Sequence, residues 1–111
     1  MESFKLYILV DRKPVELKGN RMKILMQWWE FFDKDENRRV AFMDLGNGVT
    51  VSTVFLGIDH AFGDRKPLLF ETMIFGGVND GYQTRYATWI GAEAGHKKAV
   101  KFCLENELIK N

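Results

Sequence analysis

The sequence predicts one α+β domain over residues 1–111, with an antiparallel sheet of about five to six strands and two helices packed on it. Two segments repeat apolar residues at steps of three and four, as amphipathic helices do. Between them, short runs rich in β-branched and aromatic residues alternate with turns that contain Gly and Asn, as antiparallel strands do. The predicted order is strand pair, helix, a run of strands, and helix.

Composition limits the classes of protein to consider. Hydrophobic residues make up 46% of the chain and charged residues 28%, which is typical of a folded soluble domain. The net charge of +1 and the lack of a basic run argue against direct DNA binding. The single cysteine, Cys103, excludes an internal disulfide and a multi-cysteine zinc site. Lys5 interrupts the N-terminal apolar stretch, and no run is long enough to span a membrane, so we expect a cytoplasmic protein.

The N-terminal third predicts a strand pair followed by a helix. Residues 4–10 form the first strand, and residues 14–17 return as a short edge strand, where Pro14 is tolerated. Asn20 is a favourable N-cap for a helix over residues 21–32.

This first helix is apolar over more than half of its circumference. One apolar stripe consists of Met22, Leu25, Met26, Trp29 and Phe32, and a second of Ile24, Trp28 and Phe31. Two interpretations remain open. The helix is wedged between the sheet and loops, or Trp28 and Phe31 lie in a surface for self-association or for a partner.

The middle of the chain predicts strands in series. Alternation places Val51, Thr53 and Phe55 on the face of their strand that is the better candidate for the core. The segments are a charged loop at 33–38, strands at 39–45 and 49–57, a loop at 58–67, and strands at 68–75 and 82–87.

Thr88 is the predicted N-cap of the last helix. The residues of its predicted buried stripe are Trp89, Ala92, His96, Ala99 and Cys103. His96 therefore lies in the middle of a buried face. Gly91 and Gly95 weaken the first turns of the helix, but glycines on a helix also let a strand or a ligand approach closely. We expect the end to fray near Asn106.

The two histidines of the chain, His60 and His96, form a possible constellation with Asp59 and Glu71. Such groups could hold a transition metal or transfer protons, but their separations match no metal-binding motif. Each histidine also has a purely structural interpretation. His96 would then be a hydrogen-bonded core residue, and His60 a loop residue bonded to the local backbone. Glu71 lies among large apolar residues and needs a partner, for which Arg85 across the predicted hairpin is the favoured candidate.

A second possible site combines Arg85 with Tyr86 and Trp89. Arginine makes bidentate contacts with phosphate, and aromatic rings stack on bases, so these residues could bind an anionic or nucleotide-like ligand. The alternative is a structural salt bridge beside core aromatic residues.

Several consecutive blocks resemble a widespread family of small, mostly uncharacterised phage and prophage proteins. The blocks are Val51–His60, Pro67–Gly77, Arg85–Trp89 and Ala92–His96, supported by the helix that ends at Phe32 and by Arg39-Val40-Ala41. The resemblance implies a phage origin and retains Asp59, His60, Glu71, Arg85, Tyr86 and His96 as a candidate site of no assigned role. The chain departs from the family at Ile90-Gly91, where two acidic residues are usual, and so loses the capping-box glutamate after Thr88.

Two functions follow as hypotheses. The first is a small non-catalytic phage protein that binds a host or defence component, either a protein or a nucleotide-like signal, with self-association as a further possibility. The second is a small hydrolase that uses His60, Glu71 and His96, which requires these groups to converge on one point. The sequence predicts no metal and leaves any cofactor open.

Overall fold

The computed structural model describes residues 5–59 and 65–110, with side chains as far as residue 106. The predicted α+β class is confirmed. In chain order the elements are β1 (Tyr7–Val10), β2 (Lys13–Glu16), α1 (Arg21–Phe32), α2 (Asp35–Arg38), β3 (Arg39–Gly46), β4 (Val49–Phe55), β5 (Phe70–Phe75), β6 (Gln83–Tyr86) and α3 (Trp89–Lys110).

The strands form two antiparallel sheets, which corrects the prediction of a single one. The main sheet has the order β3-β4-β5-β6, and β1 pairs with β2 in a separate hairpin. Gly57 turns the chain out of the main sheet with a φ of 73°. Beyond it, an isolated bridge joins Leu6 to Ile58, and over the described residues the ladder of the hairpin does not continue that of the main sheet.

A third, short helix occupies the segment predicted as a charged loop. The first turn of α2 carries Asp35 and Glu36, and its last turn carries Arg38. Acidic residues at the N-terminus and a basic residue at the C-terminus interact favourably with the helix dipole and so stabilise the helix. Arg38 also donates a hydrogen bond of 2.5 Å to Asp35.

The core lies between one face of the main sheet and α3. Val51, Thr53 and Phe55 of β4 are buried in alternation, as predicted. Ala92, Ala99 and Cys103 bring α3 against this face. We call this the inner face of the sheet, and the opposite one the outer face. The helix continues to Lys110, beyond the predicted end near Asn106.

Helix α1 lies at the end of the sheet where β4 finishes. Asn20 caps it as predicted, accepting a hydrogen bond from the Lys23 amide. The rings of Phe31 and Phe32 lie 6.0 and 5.8 Å from that of Phe55. Gly57 is needed at this point, because a Cβ there would overlap Phe32. One side of α1 thus joins the core through aromatic residues.

Candidate functional site

The predicted site residues are divided between the two faces of the main sheet. Thr72 of β5 points to the inner face, where its hydroxyl contacts that of Thr53. Glu71 precedes Thr72 in an extended strand and so points to the outer face. His96 approaches from α3 on the inner side, within hydrogen-bond distance of Thr53. The sheet therefore separates Glu71 from His96.

Glu71 is paired with Arg85, as predicted. The two residues are opposite each other in the β5–β6 register, and Arg85 Nε donates to Glu71 Oε2 at 3.0 Å. Gln83 Nε2 also donates to this oxygen. Glu71 is only 8% exposed, so these donors compensate the cost of burying its charge. The guanidinium of Arg85 is therefore already engaged by a carboxylate.

His96 is the end of a buried chain of three polar side chains. Its Nδ1 lies 2.7 Å from Thr53 Oγ1, which lies 2.6 Å from Thr72 Oγ1. Burial lowers the pKa of His96 below the ordinary value of 6.5, so the ring is neutral at pH 7. With Thr53 donating to Nδ1 and Thr72 donating to Thr53, both contacts are satisfied. The structure confirms the predicted buried position of His96.

Tyr86 lies on the inner face, next to α3. Its ring fits against Gly95, where a Cβ would overlap the ring and its hydroxyl oxygen. This confirms that Gly95 allows a close approach, and the approaching group is a residue of β6. Because Arg85 and Tyr86 are consecutive in a strand, they point to opposite faces. Arg85 and Tyr86 therefore do not form one pocket.

Asp59 lies near the β1–β2 hairpin. Burial, followed by the charges of Glu16 and Asp59, raises the pKa of the Tyr7 hydroxyl above its usual value. The charge of Asp59 therefore acts on Tyr7, a residue of the β1–β2 hairpin. His60, the other half of the predicted Asp-His pair, lies outside the described residues.

Trp28 and Phe31, the predicted interface residues, pack towards the interior of this chain. The ring of Trp28 lies 4.6 Å from that of Phe32, and Phe31 packs against the core cluster. The exposed apolar residues of α1 come from the first of the two predicted stripes, without Phe32. They are Met22 (68%), Leu25 (43%), Met26 (57%) and Trp29 (65%). We call these four residues the outer stripe. The apolar surface predicted for this helix is present, but different residues form it.

A groove of about 450 Å³ runs between β3 and α3. Among the described residues β3 pairs only with β4, so its other edge carries no strand. Lys97 and Lys101 are exposed along the helical side of the groove. Its full lining is Ala41, Phe42 and Met43 from β3, with His96, Lys97, Val100, Lys101 and Leu104 from α3. The groove has an apolar floor with cationic groups along one side.

Sequence reasoning missed most residues of this groove and of the inner polar chain. The sequence did contain signals for both. Lys97 and Lys101 are separated by four residues and flank the stripe that holds His96, so they lie beside it on the helix. Thr53 and Thr72 alternate with apolar residues that face the core, which predicts that both hydroxyls need a buried partner.

Comparison with models of known protein families, with curated proteins and with solved structures finds no match to this chain. Within the described residues, no three His, Cys, Asp or Glu side chains come together as metal ligands could. None of the described helices is both long and apolar enough to cross a membrane.

Proposed function

We propose that this chain is a non-catalytic binding protein that takes an extended segment of a partner protein into the groove between β3 and α3. The observation that carries the proposal is the combination of an apolar groove with the adjacent edge of β3, which no other described strand pairs with. An extended segment can add to such an edge through main-chain hydrogen bonds and place alternate side chains in the adjacent groove.

The register of β3 limits the length of edge that can pair. The ladder with β4 is irregular between Arg39 and Ala41 and again between Asp44 and Gly46. Such irregularities twist an edge and discourage pairing. The regular stretch between them runs from Ala41 to Asp44, and its first three residues line the groove. A docked segment would therefore pair over about four residues and make its specific contacts with α3.

Charge defines the chemistry of the partner segment. Lys97 makes no ion pair among the described residues, and Lys101 makes a long one, 3.9 Å, with exposed Glu105. An exposed pair of this kind is worth little and can be exchanged. Val100, between the two lysines, and Leu104 offer apolar contacts. The groove thus fits a segment that alternates apolar with acidic residues.

The geometry gives no support to the hydrolase alternative. That mechanism needs Glu71 and His96 to act at one point, whereas the sheet lies between them and Glu71 is engaged by Arg85 and Gln83. The nucleotide-like ligand is also disfavoured, because Arg85 and Tyr86 point to opposite faces. The resemblance to phage and prophage proteins supports a partner among the proteins of a bacterial host, such as a defence component in the cytoplasm.

Titration with short labelled peptides tests the groove. Peptides that alternate Val or Ile with Asp or Glu are expected to bind, and the same peptides with Lys in place of the acids are not. The double variant Lys97→Glu, Lys101→Glu is expected to weaken binding about tenfold. Each substitution removes an ion pair with an acidic residue of the peptide and introduces a repulsion in its place. NMR shifts on binding should concentrate at Ala41–Asp44 and at Lys97–Leu104.

Lys98→Glu is the matched control, since this exposed lysine lies beside Tyr82 and Phe102, outside the groove. It carries half the charge change of the double variant and is expected to leave the affinity within twofold. Two results would contradict the proposal. One is equal affinity for the acidic and the basic peptides. The other is a loss of affinity per unit of charge that is the same in the double variant and in the control.

A further inference from the structure

We propose that the outer stripe of α1, formed by Met22, Leu25, Met26 and Trp29, is the contact surface of an antiparallel homodimer. The stripe is separate from the groove of β3 and α3, so this inference is independent of the proposed function. Four large apolar side chains, each between 43% and 68% exposed, lie on one side of a single helix. An exposed apolar stripe of this kind is typical of a helix that packs against another helix.

The spacing of the outer stripe suits pairing with a second copy. Its four positions are symmetric about the midpoint between Leu25 and Met26. When two copies of α1 run antiparallel about a two-fold axis at that midpoint, Met22 of each meets Trp29 of the other. Leu25 likewise meets Met26. Each contact then joins two large apolar side chains, as the seam between two helices requires.

The charges beside the stripe select the antiparallel direction. Lys23 and Glu30 are exposed and are separated by seven residues, so they lie on the same flank of the stripe. In the antiparallel arrangement, Lys23 of each copy lies next to Glu30 of the other, which creates two equivalent ion pairs. Charge complementarity thus agrees with the arrangement that the apolar contacts favour.

The ends of α1 give a second, electrostatic reason. Within one chain its charges oppose the helix dipole: Arg21 and Lys23 lie near the N-terminus, and Glu30 and Asp33 near the C-terminus. The first turn contains no acidic residue and the last turn no basic residue. An isolated helix is stabilised by the reverse arrangement. An antiparallel second copy brings each basic end beside an acidic end and so compensates both.

The oligomeric state of the whole chain tests the inference. Sedimentation equilibrium from micromolar to about 1 mM should show a monomer–dimer equilibrium. Leu25→Glu is expected to raise the dissociation constant at least 30-fold, roughly the effect of losing a central interface residue. The matched control is Ile90→Glu, because Ile90 is 78% exposed and belongs to a different helix, at the start of α3. It should leave the equilibrium unchanged.

A charge swap tests the direction of pairing. Lys23→Glu and Glu30→Lys are each expected to weaken the dimer about 2- to 10-fold, because each replaces both ion pairs with repulsions. The double variant that carries both changes should recover wild-type affinity. Both residues are exposed, so folding is preserved and can be checked by circular dichroism.

Three results would overturn the inference. A wild-type chain that stays monomeric over the whole concentration range would assign the stripe to a helix of another protein. A dimer that Leu25→Glu leaves intact would place the interface elsewhere. A double charge variant that is as weak as the single variants would exclude the antiparallel arrangement.

Discussion

His96 on α3 lies within hydrogen-bond distance of Thr53 on β4, with 2.7 Å between Nδ1 and Oγ1, and this contact links the last helix to the centre of the sheet. Both residues are buried, and the Thr53 hydroxyl is shared with Thr72 on β5. Three elements distant in sequence are therefore joined by one polar chain inside an otherwise apolar core. The first two predictions test the energetics of this chain.

The stability of the protein should fall as the pH decreases below about 6.5. Burial lowers the pKa of His96, so the unfolded chain binds a proton in a pH range where the folded chain does not. The free energy of unfolding therefore decreases from pH 6.5 downward, until the pKa of the folded state is passed. The thermal unfolding midpoint should be lower at pH 5.0 than at pH 7.5, and this difference should be smaller in His96→Gln than in the wild type. His60→Gln is the control for the other histidine, and a pH dependence that His96→Gln leaves unchanged would refute the assignment.

Thr53 should contribute more to stability than Thr72. Thr53→Val removes the hydroxyl that contacts both neighbours and leaves buried His96 and Thr72 without it, at a cost of about 1–3 kcal/mol. Thr72→Val leaves the Thr53–His96 contact in place and should cost about 0.5–1.5 kcal/mol. Urea unfolding of the two variants provides the comparison. Equal losses would show that the shared hydroxyl has no special role.

Gly95→Ala should destabilise the protein, although alanine is the better helix former. The new methyl group would overlap the Tyr86 ring, and such overpacking costs about 1–3 kcal/mol. Gly91→Ala is the matched control. Its methyl group would approach Thr88 Oγ1 to 3.1 Å, so stability should change by less than about 1 kcal/mol.

The cost of Gly95→Ala should shrink when Tyr86 is replaced by Leu, because the clash partner is then smaller. A double-mutant cycle on unfolding free energies measures this coupling. An unchanged cost in the Tyr86→Leu background would mean that the effect of Gly95 arises elsewhere.

Arg85→Met should destabilise the protein much more than Arg38→Met. Arg85 is paired with the buried carboxylate of Glu71, and loss of a partner from a buried charged group costs about 1–3 kcal/mol. Arg38 is paired with exposed Asp35, where solvent replaces the lost contact, so its removal should have little effect. Chemical denaturation compares the two, and similar effects would show that Glu71 gains little from Arg85.

Local features of the fold followed from the sequence. The caps of both long helices were predicted and are observed: Asn20 accepts from the Lys23 amide, and Thr88 from the Gly91 amide. The pairing of Glu71 with Arg85 followed from strand order and the need to neutralise a buried charge. Each depends on residues close in sequence or on a single hairpin, where backbone geometry leaves few alternatives.

The β1–β2 hairpin shows where local reasoning was insufficient. Its strand propensity was recognised, but its pairing into a separate sheet depends on the turn at Gly57 and the bridge from Leu6 to Ile58. Strand propensity gives no information about which sheet a strand joins, because any exposed edge can supply its backbone partners.

By itself, the sequence determined the α+β class, the two long helices and their caps, the Glu71–Arg85 pair and the burial of His96, because helical and strand periods fix which neighbours share a face. Only the tertiary structure decided that Glu71 and His96 lie on opposite sides of the sheet, that Trp28 faces inward while Trp29 is exposed, and that β3 leaves a groove beside α3. The physical reason is that periodicity defines the faces of an element, whereas packing between distant segments decides which face is covered.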